Sequence, residues 1–138
     1  MPPDIVMRVL LPADTGKIDI MRYLLMLYAA ERVGLAMPPE QMAGFMEQMY
    51  AYREALAKAG AFVATAPLMP TSDACVIRVQ DGATSVQDGP YAETREQLGG
   101  YYQIEAKNLD EALGLAARIP GARYGSVEVR PIWVLGER

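Results

Sequence analysis

The chain has 138 residues, 51% hydrophobic and 22% charged, with a formal net charge of -4. That length fits one domain with one core, and no apolar run approaches the ~18 residues a membrane span needs. The acidic balance disfavours binding to nucleic acid, which rewards a basic face that displaces counterions. There is no histidine and only one cysteine, Cys75. These two counts remove Ser-His-Asp and Cys-His nucleophile systems, imidazole haem ligation and the usual zinc and non-haem iron ligand sets. Any catalysis must therefore use carboxylates, Arg, Lys, Tyr or backbone groups. No metal site is expected, and the residues name no cofactor.

Residues 1–20 hold one short apolar run bounded by prolines and lack the layout of a secretory signal. They are read as an extension, either an extra edge strand or a loose segment, and residues 21–138 as the domain. "MRYLLMLY" (21–28) is short enough for a strand and apolar at both alternating sets of positions, so both of its faces must be covered. From Pro38 to Ala59, Met42, Phe45, Met46, Met49 and Leu56 keep helical spacing. Pro39 stands in the first turn and Gly60 at the stop. The three methionines read as core filler.

"AFVATAPLM" (61–69) reads as a second strand ending at Pro67. "ACVIRV" and "ATSVQ" flank Asp81-Gly82, a dipeptide suited to a tight hairpin turn. Cys75, inside that first apolar run, is expected to be a buried, inert thiol. In "QDGPYAETREQLGG" (87–100), Asp88-Gly89-Pro90 is turn chemistry, Ala92 to Leu98 is expected to form a short helical turn, and Gly99-Gly100 allows close backbone approach. "GYYQIEA" (100–106) is a strand with Tyr102 and Ile104 on one side and Tyr101, Gln103 and Glu105 on the other. Asn108 and Glu111 make a capping pair for a second helix, and "SVEVRPIWV" (126–134) alternates as a last strand.

The order is strand, helix, strand, inserted hairpin, strand, helix, strand: an α+β, ferredoxin-like βαββαβ fold with both helices on one face of an antiparallel sheet. The uncovered face then calls for a second copy, a homodimer joined sheet to sheet, unless the hairpin or the N-terminal extension covers it. That face would carry Tyr101, Gln103, Glu105, Glu128 and Arg130. If the 88–94 loop folds over it, Asp88 and Glu93 face Arg130 across a cleft walled by Tyr91 and Tyr102.

The segment "DGPYAETREQLGGYYQIEAKNLDEALGLAARIPGARYGSVEVRP" resembles the signature of DGPF-domain proteins of the YCII-related family. Tyr91 stands where phenylalanine is usual and Arg95 where lysine is usual. The resemblance spans essentially residues 21–134, and it implies a dimeric α/β barrel, two ferredoxin-like domains joined through their sheets. The histidine and aspartate on which enzymatic roles in the family have been suggested cannot both be placed here, because the chain has no histidine. DGPF proteins are often encoded beside extracytoplasmic-function sigma factors, which implies no mechanism.

The leading expectation is a cytoplasmic homodimer that binds a small molecule beside the "DGPYAET" loop. Asp88 and Glu93 are its candidate acid or base groups, and Tyr91, Arg95, Tyr102, Glu128 and Arg130 its candidate ligand contacts. Neither nucleic acid nor membrane is expected as a partner. The competing expectation is a non-enzymatic regulatory or accessory protein linked to sigma-factor signalling, in which the motif serves loop and dimer geometry. A monooxygenase of the dimeric-barrel type rests on the fold alone.

Overall fold

A computed structural model describes residues 20–134. The readings made for the N-terminal extension lie outside the described residues, apart from Ile20. The elements are β1 (Met21–Ala29), α1 (Glu31–Leu35), α2 (Pro39–Lys58), β2 (Phe62–Pro67), β3 (Cys75–Gln80), β4 (Ala83–Asp88), β5 (Gln97–Ala106), α3 (Leu109–Ala117) and β6 (Gly125–Pro131). Short 3-10 turns occupy Thr71–Asp73 and Pro120–Tyr124.

The main sheet is antiparallel with order β2-β5-β1-β6, the βαββαβ arrangement expected, and β3 and β4 form a separate two-stranded ribbon. Within the main sheet β1 is central, pairing β5 on one side and β6 on the other. Its odd positions Tyr23 and Leu25 are buried with Ile104, Leu56 and Ile119 in the core beneath the helices. The even positions Leu24 and Met26 lie on the opposite face, across from Gln103 and Tyr101. Two ion pairs sit on that face, Arg22 with Glu105 at 3.4 Å and Arg130 with Glu128.

Local chemistry accounts for the element ends. Pro39 occupies the first turn of α2, where its missing N–H costs nothing. At the other end Gly60, at φ +72°, donates to the Ala57 carbonyl, and Ala61 donates to that of Leu56, the bond pair of a Schellman stop. Asn108 caps α3 by accepting from the Glu111 N–H at 2.9 Å. Asp81 and Gly82 both take positive φ (51° and 78°), the type I′ turn that matches strand twist.

Four readings need correction. α1 is present where the sequence suggested no element; it is one short helix without a side-chain cap. No helical turn forms over 92–98. That segment is irregular until Gln97 enters β5, and side chains of Thr94 and Gln97 bond to local carbonyls instead, the competition that short polar residues offer a helix. The last strand ends at Pro131 rather than continuing to Val134; Ile132 makes one further bond, to the Arg22 carbonyl at 2.9 Å, next to the first residue of β1, Met21. Cys75 is exposed rather than buried, because the ribbon β3-β4 stands clear of the core.

Two glycines test this packing with opposite signs. At Gly125 a Cβ would overlap the Tyr28 carbonyl oxygen and crowd Ala29, so Gly125→Ala should lower unfolding free energy by about 1–3 kcal/mol. At Gly114, inside α3, a Cβ meets nothing within 4 Å, and Gly114→Ala should raise stability by about 0.5–1 kcal/mol. Denaturant titration of both variants reads the two changes.

Candidate functional site

A cavity of about 500 Å³ lies on the helix side of the sheet, at the end where β1 and β2 finish and β5 begins. Its sheet-side floor includes Gly99 and Gly100. Gly100 lies so close to β2 that a Cβ there would sit 3.0 Å from the Ala66 carbonyl oxygen. The pairing of Leu27 with Gly100 and of Tyr28 with Leu98 leaves Gly99 as an unpaired extra residue, a bulge that bends the strand.

α2 forms the opposite wall. Positions 42, 45, 46, 49, 50 and 53 recur at helical spacing, and all six side chains line the cavity. The methionines therefore border a space more than they fill the core; of the three only Met49 packs against the buried cluster. Phe45 meets Tyr124 edge to face at 5.6 Å, and Tyr52 meets Tyr102 at 5.3 Å, so aromatic pairs brace the cavity on two sides.

Polar groups occupy two separate ends. At one, the Glu31 carboxylate accepts from the Thr71 N–H at 2.7 Å and the Thr71 hydroxyl at 2.8 Å, while the Glu31 N–H donates to Gln97 Oε1 at 2.9 Å. At the other stand Arg53, Thr65 and Tyr102. The Arg53 guanidinium lies 5.0 Å over the Phe62 ring. Thr65 donates to the Tyr101 carbonyl at 2.7 Å. Burial pushes the Tyr102 hydroxyl pKa up, against the opposing pull of the Thr65 hydroxyl and the Arg53 charge. Tyr52, whose hydroxyl donates to the Leu115 carbonyl at 2.7 Å, is raised far above the ordinary phenol range, again chiefly by burial. Both phenols stay neutral at any ordinary pH.

The residues singled out from the sequence fall in three places. Tyr102 is in the cavity just described. Glu128 and Arg130 pair with each other on the other sheet face, exposed or half-exposed. Asp88, Tyr91, Glu93 and Arg95 are exposed on the ribbon and the loop that follows. Tyr91 is 81% exposed, with Arg78 6.0 Å from its ring centre. Asp88 ends β4 opposite Cys75 and accepts from its thiol at 3.5 Å. Glu93 borders a second, polar cavity of about 350 Å³ with Thr71, Ser72, Thr94 and Gln97. Among the described residues neither Asp88 nor Glu93 forms an ion pair with Arg130.

Gln97 and Glu31, which the sequence reading passed over, matter more to this geometry than the loop's charges. Gln97 lines both cavities. Its amide joins them, accepting from Glu31 while donating to the Thr94 carbonyl at 2.6 Å. The signal available in the sequence was weak: one carboxamide two residues before a double glycine. Among the described residues no group of three His, Cys, Asp or Glu side chains could hold a metal ion.

Fold and site together define a ferredoxin-like α+β domain with a ligand-sized, mainly apolar cavity between helix and sheet. Residues 21–135 match the family model of the YCII-related domain, and the chain belongs to that family. An uncharacterized protein of Rhizobium meliloti (strain 1021) is 40% identical over 114 residues, which cover 81% of this chain and 92% of the relative.

The contact between Asp88 and Cys75 gives a prediction with a definite sign. The Asp88 carboxylate accepts from the thiol and repels the thiolate, raising the Cys75 pKa. Asp88→Asn should therefore lower that pKa and speed alkylation by iodoacetamide at pH 8, with the gap between variants closing once pH exceeds both pKa values. An equal rate at pH 8 would show that the two side chains do not meet in solution.

Proposed function

We propose that this chain is a cytoplasmic, homodimeric YCII-related protein that binds a small molecule, with the cavity between α2 and the sheet as its binding site. The observation that carries this reading is the cavity itself. About 500 Å³ lined by methionines and aromatic rings, with a few polar groups at its ends, is the form small-molecule sites take. Methionine lining suits it, since a flexible thioether accommodates guests of differing shape. Loop 88–97 joins this site through Gln97, and Glu93, beside the polar cavity, is the group placed for an acid or base step. Asp88, already accepting from Cys75, serves the ribbon's geometry.

Nile red, neutral and apolar, should fluoresce on binding this cavity. Met46→Trp, which places an indole in the space, should weaken the dye about tenfold or more, a loss of ~1.4 kcal/mol, with the circular dichroism spectrum retained. Dye binding unaffected by Met46→Trp sends the dye, and the proposal, elsewhere.

The dimer is supported by the other face of the sheet. Leu24 and Met26 are only half-buried within one chain, on the sheet face opposite the buried core. A second copy laid there would cover both and bring the Glu128–Arg130 and Arg22–Glu105 pairs into an interface. Met26 pairs across the strand with Glu128, so Met26→Glu sets two carboxylates side by side. Sedimentation should show the unmodified protein as a dimer and this variant as a folded monomer; a monomer in both cases would remove the dimer from the proposal.

A further inference from the structure

The ends of the cavity differ in what they still have to offer a ligand. Each oxygen of Glu31 accepts one bond from Thr71, so this carboxylate is already tied to the turn after β2. Arg53 is the opposite case. Its guanidinium stacks on Phe62 and, among the described residues, makes no ion pair or side-chain hydrogen bond. With no protein partner among the described residues, its N–H fork is available to grip a carboxylate with two parallel bonds.

Position adds to this. Arg53 lines the cavity one helical turn beyond Met49, so an anion at its head can carry an apolar body along the methionines. Thr65 and Tyr102, opposite each other in the sheet register, line the cavity at the same end; the Thr65 hydroxyl is spent on the Tyr101 carbonyl, which leaves the Tyr102 phenol as the hydroxyl beside the charge. From Tyr102 back to Gln97 is five residues along β5, about 15 Å at the rise of an extended strand. The bulge at Gly99 shortens that span slightly.

Resting on the cavity being the binding site, we infer that its ligand is an apolar carboxylic acid, alkyl or aryl, whose carboxylate is held by the Arg53 guanidinium and whose body lies against Met49, Met46 and Phe45. Arg53 is then the residue that selects acids over the corresponding alcohols and amines.

The test is displacement of Nile red from the intact protein by decanoate, decanol and decylammonium, all below their aggregation limits. Decanoate should displace the dye at about tenfold lower concentration than decanol, the order of effect a charge-assisted hydrogen bond supplies, and decylammonium should be weakest. Arg53→Met should bring decanoate and decanol level in displacing the dye bound to that variant, and an unchanged circular dichroism spectrum establishes that the variant folds. Arg53→Lys should keep part of the preference. Equal displacement by decanoate and decanol in the unmodified protein, or a preference that survives Arg53→Met, overturns the assignment of Arg53 while leaving the cavity as the site. Failure of the unmodified protein to take up Nile red overturns the cavity reading, and the acid with it.

Discussion

The structure depends on a strand that must be covered on both sides. β1 lies in the middle of the sheet, bonded to β5 and β6 along its length, and its apolar character on both faces leaves no orientation in which one side is content with water. Burying Tyr23 and Leu25 beneath the helices satisfies one face, at a gain of about 1.5–3 kcal/mol for each large apolar side chain removed from water. The other face, with Leu24 and Met26, is left half-buried within one chain. One alternating sequence thus sets both where the core sits and where an interface is wanted.

The same sheet changes character from one end to the other. Where Tyr23, Leu25 and Ile104 pair with Leu56 and Ile119, large side chains interlock and fill the space. Two residues further along β1, Leu27 pairs with Gly100 and Gly99 bulges beside it, and Gly121 approaches Leu27 and Phe45 from the turn after α3. Glycines supply no volume, so α2 cannot close on the sheet there. Its side chains at 42, 46 and 49 end in a gap instead of a packed interior. A cavity in this position follows from backbone close approach on one wall and long, flexible side chains on the other, and packing elsewhere can stay dense.

This explains which parts of the molecule the sequence revealed. Strand β1, helix α2, the hairpin at Asp81-Gly82, the two faces of β5 and the Asn108 cap were all legible, because each rests on a local rule of periodicity, turn chemistry or capping. The cavity was not, since Met42, Met46 and Met49 show the same helical spacing whether their ends meet a filled core or an empty one. α1 escaped notice because five residues, one of them Gly34, are too short for a periodic signal. Cys75 looked buried because the run "CVIRV" is apolar, yet in a two-stranded ribbon an apolar residue has nothing behind it: Ile77 and Val86, opposite each other, are both about two-thirds exposed.

The motif "DGPYAETREQLGG" drew attention through its charges, but its connection to the rest of the molecule is made by its amide. At position 97 the side chain must accept from the Glu31 N–H and at the same time donate to the Thr94 carbonyl. A carboxylate could only accept and an ammonium only donate, so glutamine or asparagine is required, and the longer chain reaches both partners. Through that bond the loop fixes the start of α1, and through Thr71 the Glu31 side chain ties α1 to the turn after β2. Three segments distant in sequence are therefore held at the mouth of one cavity by a single hydrogen-bonded chain. The acids Glu93 and Asp88 lie on the outer side of that chain, toward solvent and the ribbon, and the cavity is left to Arg53, Thr65 and Tyr102 for its polar recognition.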